Sequence, residues 1–511
     1  MNAPNPAWRA GSRRSALMPI AVFAGVAVFA IFLGLLVAIG RGLPVVVLAV
    51  TVVIAIYLAS RYGLAAYHEG ANGPFWTALI LSLVLGVAEL IAPMNVAGGM
   101  EIWLICLVPW IIWSGTGAVR REPLLRVFFA LFLVALLLSV VSTLLMERIN
   151  GKAAVYQFAY NLKWPLMLLL GYRVCWQDAD HALLRKVVWA FVVVAAVFVA
   201  LDVAVPSVFK AIARNVKEYH GTSNPLLGGN YFRLTGPFIH PSVLAYFSTI
   251  FLVMTAVQRS GKLVGLPYTI LTMAALLVLL ALSGQMQETA AAVAGCGLVW
   301  ATFRARNLWT VAALSAIVLL ITAAALIGVI GLEKFRLLGV DWGLAPSWSG
   351  LTQARPVLYT DAFRLASEHW PVGTGLGTFA GEGARLFNRD LYESLGYNIY
   401  WWYQRDIFLV DTYWPNFIAE IGWIGTVCLM LVPLLAIVYS LWRVTQSANP
   451  RVKVVWGYAF VGQFVPLIVS LTSPIFSDPN SVAFAFMMLG MAQVYERRLS
   501  RKAVMPQRRC A

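Results

Sequence analysis

Arg233 and His240 in NYFRLTGPFIHPSVLAYF, and Arg355, Arg364, His369, Arg405 and Asp411 in the polar excursion from Arg355 to Gly425, are the side chains best suited to handling a charged substrate. Guanidinium groups grip phosphate oxygens as a fork, and the free N–H groups of a helix N-terminus attract an anion. Pro241 suits the first turn of a helix, so Arg233 and His240 flank such a terminus. The ordinary alternative for His240 is a helix-entry residue bonded to backbone. For the arginines it is ion pairing with acids such as Asp361, Glu368, Glu382, Asp390, Glu393 and Asp406.

The spacing predicts a helix over 355–369, with Asp361, Arg364 and Glu368 on a polar face whose default meaning is solvated ion pairing. His369, Trp370 and Pro371 lead into Gly373, Gly375 and Gly377. Alternating glycines permit positive φ or close backbone approach. Neither the strand–turn–helix context nor the lysine of a nucleotide-binding loop accompanies them, so the expectation is a turn packed on the membrane surface with His369 structural. Trp401, Trp402 and Tyr413 are either interfacial belt residues or a platform for sugar rings. Asp411 stands just before a helix beginning near Tyr413, where a carboxylate caps well. Glu420 lies two turns inside that apolar helix, where an ionisable group is costly unless it pairs or works. The other embedded polar residues are Glu89, Lys163, Asp202, Gln285, Gln287 and Glu288.

The elements that position these groups are membrane helices. The chain is 60% hydrophobic and 12% charged, with a mean hydropathy of +0.78, whereas soluble domains carry roughly 25% charged residues. Its formal charge of +16 does not indicate nucleic acid, because the basic residues are scattered in short clusters between apolar runs, as membrane topology requires. The five cysteines form neither a disulfide framework nor a CxxC metal pattern, and no metal or cofactor is expected. The apolar run after Arg9, Arg13 and Arg14 is too long for a signal peptide and reads as a first membrane helix.

Fourteen apolar runs have about the length of a span, near 17–40, 43–60, 75–96, 100–116, 123–146, 155–175, 185–205, 241–258, 263–283, 286–304, 308–331, 413–442, 454–472 and 479–495. Short gaps leave the number between 12 and 14. With the N-terminus inside, every predicted inside segment is basic, which places both termini in the cytoplasm. The whole chain, 1–511, is then one membrane domain with two long outward loops, 206–240 and 332–412, the second partly helical and holding the site. Its aromatic content argues against disorder. The basic tail, YERRLSRKAVMPQRRCA, reads as a topology anchor against anionic lipid.

At RLTGPFIHPS, RPVLYTDAFRLASEHWPVGTGLGTF and LVDTYWPNFIAEIGWIG the chain resembles the bacterial O-antigen polymerase and ligase superfamily. The matching positions are Arg233, Gly236, His240 and Pro241, with Ser242 where Asn is common; then Arg355, His369, Gly373, Gly375, Gly377 and Phe379; then Ala419, Glu420, Gly422 and Gly425. The likeness covers residues 230–430. Two departures stand out: Asp411 occupies a position where ligase-like members often carry His, and Ser283 leads into Gly284 and Gln285 where many have Ser-Arg.

The resemblance implies a GT-C-like, metal-independent glycosyltransferase of the bacterial inner membrane, polymerising undecaprenyl-pyrophosphate-linked repeat units of a surface or secreted polysaccharide on the periplasmic side. Under it, Arg233 with Arg355, Arg364, Arg405 and His369 would hold the pyrophosphate, and Asp411, then His240, would take the acceptor proton, with Glu420 a third catalytic candidate. Trp401, Trp402 and Tyr413 would stack on sugar. The partners implied are the lipid-linked glycan, membrane lipids and a chain-length regulator protein. A ligase delivering finished glycan to lipid A core or protein is the alternative within the family. A transporter or flippase is the rival outside it, though it would need a central polar pathway, whereas polar groups here concentrate at one membrane face.

Overall fold

The structure, a computed structural model, describes residues 72–91, 122–145, 150–213, 222–305 and 353–504, with scattered residues in 98–107 and 307–324. Its first helices are α1 (Gly73–Ile91), α2 (Pro123–Leu144), α3 (Gly151–Asn161), α4 (Lys163–Gly171), α5 (Asp178–Ala204) and α6 (Pro206–Ile212). A small antiparallel hairpin, β1 (Ser223–Asn224) and β2 (Gly228–Phe232), precedes α7 (Pro241–Ser260), α8 (Leu266–Ser283) and α9 (Met286–Arg304). The polar excursion supplies α10 (Ala354–Glu368), α11 (Glu382–Phe387), α12 (Asp390–Ser394) and α13 (Trp401–Gln404). The chain closes with α14 (Trp414–Gln446), α15 (Pro450–Val469) and α16 (Pro479–Val504).

Seven of the described helices, α1, α2, α5, α7, α8, α14 and α15, are long and apolar enough to cross a bilayer, whose core needs about 20 residues. The molecule is thus a mostly helical, membrane-embedded protein. The spans expected at 17–40 and 43–60 lie outside the described residues, and those at 100–116 and 308–331 do so in large part. The expected span at 155–175 is instead two short helices, α3 and α4, meeting at Leu162. Pro165 explains the break, because it has no N–H to offer the carbonyl of Asn161. Helices α9 and α16 form near the expected positions but lack the apolar length of a span.

Burial separates a central layer from a lipid-facing shell. In α7 and α15 the apolar stretch is 83% and 89% buried, against 22% in α2. Helix α7 packs on α8, α9 and α15, α15 on α14 and α16, and α16 on α4 and α1. Without water to drive association in lipid, close van der Waals contact at small residues holds such crossings. Gly171 of α4 lies against the Met487 backbone of α16, and Gly462 of α15 against that of Ala485. Outward-facing Phe129, Leu137, Val197, Ile270 and Leu271 remain exposed, as a lipid-facing surface requires.

The described part of each long loop is folded. In 206–240 these are α6 and the hairpin, while 214–221 fall outside the described residues. In 332–412 the description begins at 353, and α10 packs against α14.

Candidate functional site

Helix α14 is interrupted at Gly422, whose φ of 68° and ψ of −177° leave the helical region. At this break the carbonyl of Ala419 accepts the N–H of Thr374 at 2.8 Å, and that of Glu420 accepts the N–H of Gly375 at 3.0 Å. The Glu420 side chain completes the join. Its Oε1 accepts the N–H groups of Thr378 at 2.9 Å and Phe379 at 3.1 Å. Gly373 and Gly377 take φ values of +80° and +72°, and a Cβ on either would run into the backbone of Ala419 or Ala153.

The glycine turn therefore does not pack on the membrane surface, as its sequence suggested; it is buried on the broken helix, with Thr374 and Phe379 only 3% and 0% exposed. Backbone N–H groups inside protein need partners, and Glu420 supplies them. Glu420, a catalytic candidate from sequence, is fully buried and bonded to the turn, so here it positions the loop.

Above this join lies an ion pair. Arg355, in the first turn of α10, places Nε 2.5 Å from Oδ2 of Asp411. The two side chains are 35% and 22% exposed, so the pair is open at one side. Asp411 does not cap α14: the residue at the cap is Tyr413, and no side chain bonds there. The Asp411 backbone N–H donates to Phe408 O at 3.2 Å, and the loop before it is packed by aromatic rings, with Tyr400 stacked on Trp402 at 5.1 Å and Tyr392 meeting Phe379 and Tyr397.

Arg233 arrives from another direction. The hairpin that carries it is tied to the end of α8, with Leu234 N–H donating to Leu282 O at 3.0 Å and Asn224 Nδ2 to Ala281 O at 2.9 Å. The Arg233 side chain lies against Gly284, whose φ of +66° closes α8. One turn later, in α9, comes the buried Glu288, on which the charges of both Arg355 and Arg233 act. Helices α9 and α10 are also anchored to the same end of α15, through Gln287 Nε2 to Ile468 O at 3.0 Å and Tyr359 OH to Leu471 O at 2.7 Å. Segments near 233, 288, 355 and 411 thus converge.

The other sequence candidates fall elsewhere. His240 caps α7: its Nδ1 accepts the N–H of Ser242 at 3.1 Å and lies 2.6 Å from that residue's hydroxyl, which puts the ring proton on Nε2. His369 ends α10, with Nδ1 donating to Leu365 O at 3.0 Å. Arg364 is half exposed and pairs with Asp361 at 2.9 Å, the ion pairing its spacing suggested. It lies about 13 Å along the helix from Arg355. Arg405 sits over the Trp401 ring at 5.6 Å, beside Asp406, which Arg385 and Arg389 both bind.

Of the three proposed sugar platforms, only Trp401 stays half exposed. Trp402 and Tyr413 correct that expectation. They are 1% and 4% exposed, with Tyr400 stacked on the first and Trp414, Phe417 and Phe476 around the second. Large rings buried on both faces pack; they cannot receive a ligand without moving.

Elsewhere Lys163 pairs with Glu101 and donates to Ser477 O at 3.3 Å, so this embedded cation has an acid partner. Among the described residues no cluster of His, Cys, Asp or Glu is arranged to hold a metal ion, and Cys175, Cys296 and Cys428 are free thiols. Sequence reasoning named Glu288 only as an embedded polar residue. Its place in an apolar helix was the available signal, and its arginine neighbours became visible only in three dimensions. It likewise passed over Gln157 and Asn416, which bond to each other at 3.1 Å and to the 379–383 backbone. The chain matches no protein-family model and no curated protein.

Proposed function

We propose that the protein is a membrane glycosyltransferase that polymerises polyprenyl-pyrophosphate-linked oligosaccharide units of a surface or secreted polysaccharide. The observation that carries this reading is the convergence of Arg233 and Arg355, from two separate loops, around Glu288 and Asp411. Two guanidinium groups whose charges reach one buried carboxylate suit the two phosphates of a lipid-linked donor. The resemblance of these same segments to the O-antigen polymerase and ligase superfamily supplies the reaction class.

In the proposed step the acceptor sugar hydroxyl attacks the anomeric carbon of the donor. A new glycosidic C–O bond forms as the bond from that carbon to the pyrophosphate oxygen breaks. The pyrophosphate leaves on its polyprenol, its growing charge met by Arg233 and Arg355. The hydroxyl proton passes to Asp411, which Arg355 holds in place. His240 fits this role less well, since its Nδ1 already serves as a helix cap. The same reading places the chain in the bacterial inner membrane as a GT-C-like protein of about 14 spans, with the site on the periplasmic side and both termini in the cytoplasm.

The experiment is the size distribution of lipid-linked and released glycan in a deletion strain complemented with wild type, Arg233→Ala or Asp411→Asn. Accumulation of single repeat units in the deletion strain is expected, with both variants failing at normal protein levels. Long chains retained on the lipid carrier would instead identify a ligase, and unchanged glycan would remove the glycosyltransferase reading.

A further inference from the structure

At the far end of α14 from the Glu420 join, a cleft of about 300 Å3 opens between the start of α2 and the C-terminal ends of α14 and α16. Arg443 is 23 residues beyond Glu420, a rise of about 35 Å, so this cleft and the Arg355–Asp411 pair face opposite ends of the bundle. Three arginines, Arg443, Arg497 and Arg501, line it together with Glu122, Glu496 and Gln493.

Two of the three arginines are held by acidic partners. Arg443 pairs with Glu496 and lies over the rings of Trp442 and Trp456 at 5.4 and 5.7 Å. Trp456 Nε1 in turn donates to Glu496 Oε2 at 3.0 Å. Arg497 pairs with Glu122, whose side chain is 8% exposed. These two pairs cancel, and Arg501 leaves the lining with one net positive charge. Gln493, Arg497 and Arg501 recur every four residues, so they share one face of α16.

A second observation points to a ligand. Gln493 is 6% exposed, yet its Oε1 and the Nε of Arg443 have no hydrogen-bond partner among the described residues. Buried polar atoms in native proteins are normally paired, and a turn of the Gln493 amide about its last bond would exchange this oxygen for N–H groups at the cleft. The approach is apolar. Ile424, Val427, Leu434 and Val438 form an exposed apolar stripe along α14 that ends beside Tyr439 at the cleft. A charged mouth at the end of an apolar runway fits a molecule with an acyl tail and an anionic head.

We propose that this cleft is a binding site for the phosphodiester headgroup of an anionic membrane lipid, with the acyl chains along the α14 stripe. Arg443, Arg501 and the Gln493 amide bind the phosphate, and Glu122 and Glu496 orient the guanidinium groups. The test uses the full-length protein in detergent, with phosphatidylglycerol titrated against phosphatidylcholine by native mass spectrometry and thermal unfolding.

Phosphatidylglycerol should bind and raise the midpoint, and Arg501→Gln should weaken it roughly tenfold. Arg498→Gln, one residue round the same helix and outside the lining, should leave it unchanged, and Gln493→Leu should weaken it while keeping the side-chain volume. Equal weakening by Arg498→Gln and Arg501→Gln would overturn the proposal in favour of diffuse surface attraction. Equal binding of phosphatidylcholine, or full stabilisation by inorganic phosphate alone, would also overturn it.

Discussion

Arg355 Nε and Asp411 Oδ2 lie 2.5 Å apart across 56 residues of sequence. The pair joins the first turn of α10 to the segment leading into α14, and each partner alters what the other can do. A carboxylate that fixes an arginine and a carboxylate that accepts a proton are different roles, and a mutant cycle separates them. Arg355→Gln and Asp411→Asn should each shorten the glycan, and the double variant should be no worse than the more severe single one. Additive losses would mean that Asp411 acts independently of Arg355. On stability the coupling should be small, about 1 kcal/mol, because the pair is partly exposed and screened.

Glu420 should matter for folding more than for chemistry. Glu420→Ala leaves the buried N–H groups of Thr378 and Phe379 without their acceptor, at about 1–3 kcal/mol each. Glu420→Gln keeps a carbonyl oxygen in the same place and should retain most of the folded yield. Limited proteolysis within 373–381 reads the difference; equal cleavage of both variants would dissociate Glu420 from the turn.

Two glycines with nearly the same backbone separate strain from crowding. Gly396 has φ +79° and open space where a Cβ would go, whereas Gly377 has φ +72° with the Ala153 backbone in that place. Gly396→Ala should cost about 1 kcal/mol from the left-handed conformation alone. Gly377→Ala adds a collision with backbone that cannot swing away, so its thermal midpoint should fall distinctly further. Equal shifts would show that α3 moves aside.

Asp361 should give the loop a dependence on acidity. Burial raises its carboxyl above the ordinary 3.8, ahead of the opposing bonds from Tyr397 and Arg364, with Glu368 adding to the rise. Folding therefore favours the protonated form. The stability this contributes is complete below the unfolded value and is lost as pH rises through the folded one. Between about pH 4 and neutrality the wild-type midpoint should fall relative to that of Asp361→Asn, which still lets Tyr397 OH donate to an oxygen. Parallel curves for the two proteins would remove Asp361 as the group responsible.

The sequence by itself determined the class of molecule. Unbroken apolar runs with few charges are legible residue by residue, because each span has to satisfy its own backbone in lipid. The start of α7 followed from a local signal, Pro241 at a first turn, and α8 ends at Ser283, where Gly284 takes a left-handed φ. The local reading failed where one residue redirects the chain: Pro165 divides a stretch that looks continuous by composition, and Gly422 bends α14 where the pattern shows only more helix.

For the site, residue types singled out Arg355 and Asp411 but did not pair them with each other. Asp411 looked like a cap because the helix follows two residues later, and only the folded chain shows that it pairs with Arg355 of α10 instead. Trp402 and Tyr413 looked like platforms because type and spacing are the same for a ring that packs and a ring that waits for sugar. Tertiary structure alone decided that Glu288 lies within reach of the charges of Arg233 and Arg355, which come from residues 55 and 67 positions away. Electrostatic interaction falls off with distance in space, and that distance is set by how the helices pack.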